Sequence, residues 1–146
     1  MKQVWYGYIK FALGAAVLVA AAAVVWVISS ARPAPRSITV EVTEPELSAL
    51  AAKGKPLFEA NCATCHGIRG SGTDKGPPLV HDIYNPGHHA DPAFFSAAKF
   101  GVRQHHWPYG NMPPQTQVSE DQVAAIVRYV REVQIANGIK YRPHHM

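Results

Sequence analysis

One long apolar run dominates the first thirty residues of the chain. Residues 11–28 are all apolar or small, 18 positions without interruption. As a helix rising ~1.5 Å per residue, they would span about 27 Å, close to the roughly 30 Å hydrocarbon core of a bilayer. Trp5 and Lys10 precede the run and Arg32 follows it, an aromatic and basic flanking pattern typical of membrane interfaces. The pattern predicts that residues 1–30 form a transmembrane anchor.

A cleaved secretory signal is the alternative for the same segment. Residues 29–31, Ser-Ser-Ala, resemble a small-residue cleavage site, and the chain begins with a positively charged stretch. The apolar run is, however, longer than the roughly 7–15 residues of an ordinary signal core. The length of the run therefore favours an uncleaved, signal-like anchor.

Residues 31–45 have the pattern of a linker. The segment opens with Arg-Pro-Ala-Pro-Arg, whose prolines favour an extended chain. Ile38, Val40 and Val42 then alternate with polar residues, with the period of two that is typical of an extended strand. We expect an extended tether. A segment that adds to the sheet edge of a partner protein is the alternative.

The remaining residues, 46–146, carry helical patterns and predict an all-α domain. The last helix is the best marked, with Ser119 and Gln122 in a capping box and Gly138 as its stop. Its apolar residues form one stripe at helical spacing: Val123, Ile126, Val127, Val130 and Val133. Shorter helices are predicted at 46–53, at 56–61 and at 92–100, the last with Asp91 as its N-cap and Gly101 at its end.

The distribution of charge excludes a nucleic-acid-binding domain. Residues 1–36 carry four basic and no acidic side chains, whereas residues 37–146 carry ten of each. The basic character of the chain therefore belongs to the apolar segment and its flanks. The helical domain has no excess of positive charge with which to bind a phosphate backbone.

The two cysteines of the chain stand in Cys62-Ala-Thr-Cys65-His66, a Cys-x-x-Cys-His motif. This is the attachment pattern of c-type haem. Two thiols three positions apart on a helical turn can each form a thioether to one haem, and the adjacent histidine can ligate the iron. A thioredoxin-like dithiol expects a strand–helix pattern that is absent here, and a zinc site expects a second cysteine pair. The motif predicts one covalent haem c.

Met112 is the residue best suited to be the second iron ligand. Of the other two methionines, Met1 precedes the apolar segment and Met146 is the final residue. Met112 lies in Gly-Asn-Met-Pro-Pro, where two prolines stiffen the loop that would present its sulfur. Methionine–histidine ligation raises the reduction potential and suits an electron carrier. His105 or His106 is the alternative ligand.

The other histidines are expected to be solvated surface residues. They are His81, His88, His89, His144 and His145. A metal site built on the adjacent His88 and His89 is a weaker alternative, because two neighbouring histidines are little evidence for one.

Over about residues 48–138 the chain resembles a class I c-type cytochrome of the small bacterial mono-haem kind. Gly54 and Phe58, spaced before Cys62, resemble the family's first helix running into the haem motif. Tyr129 resembles the aromatic residue of the last helix that packs across the first. The resemblance implies that these two helices cross at Gly54, where the missing side chain permits close approach.

The resemblance also implies two further cofactor-binding residues. The carbonyl of Pro77 would accept a hydrogen bond from His66 and fix the orientation of that ring. The neighbouring Pro78 makes this assignment uncertain by one residue. Trp107, five positions before Met112, would donate its indole N–H to a haem propionate.

The function implied by the resemblance is one-electron transfer. Iron with two axial protein ligands has no open position for a small-molecule substrate, so we expect an electron carrier and not an enzyme. An enzyme with an open haem site would require that Met112 does not bind iron. The expected partners are the membrane and redox proteins, with no nucleic acid.

The exported side of a membrane is where thioether attachment of haem takes place. We therefore expect a single-pass protein of a bacterial inner membrane with its haem domain in the periplasm. One role is a tethered carrier between a quinol-oxidising complex and a terminal oxidase or similar acceptor. The alternative is a fixed haem c subunit of a larger respiratory or photosynthetic enzyme complex.

Overall fold

Five helices and two 3-10 turns make up the regular structure of the computed structural model, which describes residues 2–30 and 37–143. The helices are α1 Lys2–Ser30, α2 Ala49–Asn61, α3 Ala63–His66, α4 Asp91–Phe100 and α5 Glu120–Ala136, and the turns are Ile68–Gly70 and Asp82–Tyr84. Within these described ranges there is no β-strand, only an isolated antiparallel bridge between Val102 and Met112. The prediction of a mostly helical protein is confirmed.

Helix α1 belongs to a unit of its own. The chain divides into the units Met1–Ala34 and Pro35–Met146. Within α1, the stretch Leu13–Ser30 has a mean hydropathy of 2.3. Its length and composition allow it to cross a membrane, and an N-terminal signal sequence has the same properties.

Helix α2 is one continuous helix where the sequence predicted two. The side chain of Ser48 accepts a hydrogen bond from the N–H of Ala51, so the helix begins three residues later than predicted. Gly54 and Pro56, which were expected to interrupt it, both lie inside the helix. Helices in proteins depend more on tertiary packing than on propensity, and α2 packs along α5.

The crossing of α2 and α5 forms the centre of the helical domain. A Cβ atom on Gly54 would lie 1.9 Å from the carbonyl oxygen of Ala125, so only glycine permits this approach. Next to the crossing, the fully buried rings of Phe58 and Tyr129 lie 5.5 Å apart between centroids. The crossing at Gly54 that the resemblance implied is therefore present. The core around it consists of Ala51, Phe58, Leu79, Val80, Ile126, Tyr129, Val130 and Val133.

Helix α5 begins as predicted. The N–H of Gln122 donates to the Ser119 hydroxyl, and the N–H of Ser119 donates to the Gln122 side chain.

Helix α4 is joined to α5 by an ion pair. In α4, Ala90 and not Asp91 is the N-cap. The Asp91 carboxylate is displaced from the capping role because it binds Arg131 of α5, with an N–O distance of 2.7 Å.

Residues 37–48 run extended along the helical domain. The N–H of Val40 donates to the carbonyl of Ser71 at 2.9 Å. Thr43 is held on both sides by one amide: its N–H donates to Asn137 Oδ1 at 2.9 Å, and Asn137 Nδ2 donates to its carbonyl at 2.7 Å. We call residues 37–48 the docked segment. It includes the described part of the predicted linker, whose residues 31–36 lie outside the described residues.

Candidate cofactor site

A largely apolar cavity of about 470 Å³ lies in the helical domain. Its wall includes His66, Pro77, Trp107 and Met112, four of the six site residues predicted from the sequence. The volume falls within the roughly 300–1,000 Å³ that is usual for sites of small molecules and cofactors. The other two predicted residues, the cysteines, lie beside His66 in the chain.

His66 is held by the carbonyl of Pro77. The distance between His66 Nδ1 and the Pro77 oxygen is 2.9 Å, so the carbonyl that the resemblance implied is the one in contact, and Pro78 is not. A carbonyl can only accept, and Nδ1 therefore carries the proton. This leaves the lone pair of Nε2 for a metal. Burial lowers the pKa of His66 and keeps the ring neutral, although the bond to Pro77 partly opposes this effect.

The two thiols lie at the junction between α2 and α3. Cys62 is the residue between the two helices and is half-buried, whereas Cys65 lies within α3 and is exposed. The N–H of Cys65 donates to the carbonyl of Cys62 at 3.2 Å, so the two residues share one helical turn. Burial, followed by the neighbouring Cys65, raises the pKa of the Cys62 thiol to about 11. Both thiols are free to form thioethers, and His66 follows directly on the same turn.

Met112 is positioned by a hydrogen-bonded loop. Its backbone forms the bridge to Val102, with two N–O distances of 3.0 Å. Gly101 precedes the bridge with a φ of 73°, and a Cβ there would lie 2.4 Å from the Met112 carbonyl oxygen. The loop is closed again where the N–H of Gln104 donates to Asn111 Oδ1 at 2.9 Å. These contacts fix the backbone that carries the Met112 side chain in the cavity wall.

Trp107 carries a buried donor that lacks a well-formed hydrogen bond. Its Nε1 is the one buried side-chain nitrogen or oxygen among the described residues with no partner at hydrogen-bonding geometry. Burial raises the pKa of Tyr84, and the Tyr84 hydroxyl is close enough for the indole to lower that pKa by a smaller amount. The indole packs edge-on against the ring of His81, with centroids 5.0 Å apart. Buried donors in folded proteins are nearly always paired, so an unpaired one in a cavity wall indicates a missing acceptor.

Several cavity residues were not predicted as site residues. They are Tyr84, His89, Phe94, Val123, Ile126 and Val127. The signal for the last three was the apolar stripe of α5, which the sequence assigned to the core and which partly faces the cavity instead. Tyr84 comes from a loop far from the haem motif and gave no signal. Burial raises its pKa to about 12, so its hydroxyl remains protonated at neutral pH.

The histidines of the loops are less exposed than predicted. His81, His88 and His89 are half-buried, and His89 joins His105 and His106 in the cavity wall. The expectation that the first three are solvated surface residues was therefore wrong, because the loops fold against each other beside the cavity. The predicted surface positions of His144 and His145 lie outside the described residues.

A family model described as Cytochrome c matches residues 51–134, more than half of the chain. The chain belongs to the cytochrome c family. No curated protein and no solved structure gives a significant match. A cytochrome c domain implies electron transfer in general, and it implies a covalently bound haem c. Membership of the family suggests an electron carrier rather than an enzyme.

The residues of this cytochrome c fit such a group. The cavity is apolar enough to receive a porphyrin face, and two free thiols stand beside its histidine. His66 offers Nε2, while its other nitrogen is held by Pro77. The unpaired Trp107 N–H is a donor of the kind that a propionate would accept. A haem c would therefore satisfy the one buried polar atom that the described protein leaves unpaired.

Proposed function

We propose that this cytochrome c is a membrane-anchored, single-haem carrier of one electron at a time. In this proposal Cys62 and Cys65 hold the haem through thioethers, and His66 and Met112 are the axial iron ligands. Trp107 donates to a haem propionate. The observation that carries the proposal is the shared cavity, whose wall contains both Met112 and His66, the latter with Nδ1 held by Pro77.

The protein's part in the reaction is to position ligands and exclude water. A haem c bound there supplies one iron that alternates between the ferric and ferrous states. The carbonyl of Pro77 orients His66, and the bridge to Val102 holds the Met112 backbone. Phe94 contributes apolar surface to the cavity wall. An apolar surrounding would favour the ferrous state of a bound haem, which carries less charge than the ferric state. If His66 and Met112 both bound the iron, they would leave no open position for a substrate, and the group would serve electron exchange alone.

Methionine is favoured over the histidine alternative by the contacts of the two histidines. His105 and His106 also line the cavity. However, His106 Nε2 lies 3.1 Å from His88 Nε2, and His105 Nδ1 faces the carbonyl of Arg103 at 2.8 Å. His106 is therefore engaged by another histidine, and both histidines are exposed, whereas Met112 is half-buried in the cavity wall. The bis-histidine iron is therefore the second choice.

The proposed location is the periplasmic face of a bacterial inner membrane, with α1 as a retained single-pass anchor. The partners are a quinol-oxidising donor and a terminal oxidase or similar acceptor. The docked segment bears on how far the haem domain can travel. Only residues 31–36 lie between α1 and this segment, and at ~3.3 Å per residue they reach at most about 20 Å.

So short a connection favours a second candidate, a fixed haem c subunit of a larger respiratory or photosynthetic complex. A carrier that swings between separate complexes gains from a long tether, whereas a subunit bound to one complex does not need one. Extraction in mild detergent followed by gel filtration separates the two. A haem protein of 15.9 kDa in its own detergent micelle supports the carrier, and co-migration with a larger complex supports the subunit.

The haem itself is tested by replacing both cysteines. Cys62→Ala with Cys65→Ala should abolish the band that peroxidase staining reveals on a denaturing gel, because the chain has no other thiols. Met112→Ala is the matched control and should keep the band, since covalent attachment does not need the distal ligand. A stained band in the double-alanine variant would refute the proposal.

A further inference from the structure

Three histidines meet at one point on the edge of the cavity. The ring nitrogens of His88, His89 and His106 that could bind a metal all lie within 4.8 Å of one another. His88 Nε2 and His106 Nε2 are 3.1 Å apart. His105 packs against the group, with its ring tilted 51° to that of His106 and the two centroids 4.3 Å apart. We call His88, His89 and His106 the histidine cluster.

The backbone under the cluster is firmly held. His89 Nδ1 donates to the carbonyl of Ile83 at 2.7 Å, which leaves Nε2 as its ligand atom. The buried Arg131 of α5 donates to the carbonyl of His89, and also to that of Tyr84 at 2.7 Å. A metal-binding histidine usually has its second nitrogen bound in this way, and the arrangement lowers the cost of ordering the site.

The distances agree with those of a transition-metal site. Two nitrogens bound at ~2.05 Å to one metal ion lie about 2.9 Å apart at a right angle and about 3.3 Å apart at the tetrahedral angle. The 3.1 Å between the nitrogens of His88 and His106 falls between these values. The cluster consists of imidazoles without a carboxylate, a donor set that suits copper and zinc and not magnesium or calcium.

The electrostatic state of the cluster agrees with this reading. Burial first, and then the neighbouring histidines, lower the pKa of both His89 and His106. Neutral imidazoles are the form that binds metals. Packing several imidazoles together is unfavourable when they are protonated and favourable when they share a cation.

We propose that His88, His89 and His106 form a binding site for one divalent late transition-metal ion, Cu²⁺ or Zn²⁺, next to the cofactor cavity. The three ring nitrogens supply three ligands, and a water molecule or His105 completes the shell. This site is separate from the proposed haem ligands His66 and Met112, and it does not depend on them.

The test uses the full-length, untagged protein with its haem, purified in detergent and freed of metal with a chelator. Cu²⁺ added in steps should give one saturable site by calorimetry and one paramagnetic copper signal with nitrogen couplings. Zn²⁺ should compete for it with the same stoichiometry. His88→Ala, which removes a ligand outside the cavity wall, should weaken Cu²⁺ by more than the roughly 10–100-fold that changes around a metal site usually cost.

The matched control removes the adjacent pair at the end of the chain. His144→Ala with His145→Ala should leave the stoichiometry and affinity of the site unchanged, and His88→Ala should leave the haem spectrum unchanged. The proposal is overturned if the wild type shows no saturable site, if His88→Ala binds Cu²⁺ as tightly as the wild type, or if the terminal variant is the one that loses binding. It is also overturned if His106→Ala changes the axial ligation of the haem, since that histidine would then serve the iron.

Discussion

At the residue scale, Met112 is the side chain that distinguishes the proposed methionine–histidine coordination of the iron from a bis-histidine one. Met112→Ala should open the sixth position, so that the ferrous protein binds carbon monoxide. Its reduction potential should fall, because a thioether stabilises ferrous iron. Carbon monoxide difference spectra and a redox titration measure the two effects. The weak sulfur–iron absorption band of the oxidised protein should disappear as well.

The histidines of the same loop provide the control for Met112. His105→Ala and His106→Ala should each leave that band and the resistance to carbon monoxide intact. Should a histidine substitution open the iron while Met112→Ala does not, the coordination is bis-histidine. His105 and His106 line the same cavity, so the comparison is made within one site.

Trp107→Phe tests the unpaired indole. The variant keeps an aromatic ring against His81 but loses the N–H. A hydrogen bond to a charged group contributes about 1.5–3 kcal/mol, so the haem-loaded variant should lose stability of that order in denaturant unfolding. A buried donor that has no acceptor costs free energy instead. A variant as stable as the wild type, or more stable, would therefore contradict the propionate contact.

Residues adjacent in the chain were predicted better than residues brought together by folding. The haem motif could be predicted from the spacing of its residues, and the contact between His66 and Pro77 could be predicted from the resemblance. Two members of the histidine cluster, the neighbours His88 and His89, were considered as a weak metal site from the sequence. Their meeting with His106 was not predicted, because 18 positions separate His88 from His106 and only the packing of two loops joins them. A contact between residues so far apart in the chain produces no local sequence pattern.

At the scale of elements, Gly54 sets the distance between α2 and α5. Gly54→Ala should destabilise the haem-loaded protein by about 1–3 kcal/mol or more, because the new methyl group meets backbone and not a movable side chain. The midpoint of denaturant unfolding, followed by the haem band, gives the value. Lys53→Ala on the exposed face of the same helix should change stability by no more than about 0.5 kcal/mol. Equal midpoints for the two variants would contradict the close crossing.

Glu44 fastens the docked segment and should make its stability depend on pH. The hydrogen bond from Lys55 lowers the pKa of Glu44 below 4.5, against the opposing effect of burial and with help from Tyr129. A carboxyl whose folded pKa is depressed stabilises the protein fully above its unfolded pKa, and it loses that contribution as the pH falls through the folded value.

Unfolding of the wild type should therefore become easier as the pH drops below about 4.5. Glu44→Gln should be less stable at neutral pH and should converge with the wild type in acid. Lys55→Ala should act in the same direction, since it removes the main cause of the lowered pKa. Parallel curves for wild type and Glu44→Gln across pH 3–7 would show that the carboxylate has no such role.

Helices α1, α4 and α5 followed from the sequence, but the two 3-10 turns and the continuity of α2 did not. The capping box at Ser119 and the apolar stripe of α5 both involve residues that are close together in the chain. Such local patterns can be recognised in the sequence. Gly54 and Pro56 are helix breakers in isolation, and their place inside α2 depends on packing against α5. Aspartate is a common N-cap residue, but the Asp91 carboxylate forms an ion pair with Arg131 instead.

At the scale of the whole molecule, the proposed topology places the N-terminus inside the cell and the haem domain outside. Protease added to intact spheroplasts should then remove the haem band from the membrane fraction. A cytoplasmic marker protein should survive as the control for intact membranes. If the band is lost only after lysis, the domain lies on the inner side and the proposed topology is wrong.

An apolar N-terminal helix and a separate helical domain were both predictable, because each has its own composition. The place where the second unit begins was harder to predict. Residues 37–45 have the alternating pattern of an extended chain, and that pattern does not say what the chain will contact. In the structure it contacts its own domain, through Val40 and Thr43.

The docked segment also bears on the order of events during export. In the proposed topology, residues just after α1 cross the membrane first, and the end of α5 crosses late. Thr43 and Glu44 nevertheless bind Asn137 and Tyr129, about ninety positions further along. The domain therefore cannot close around its first residues until nearly all of it has been translocated. Until then the cysteine motif emerges in an open chain, where the machinery that attaches haem can reach both thiols before folding half-buries Cys62.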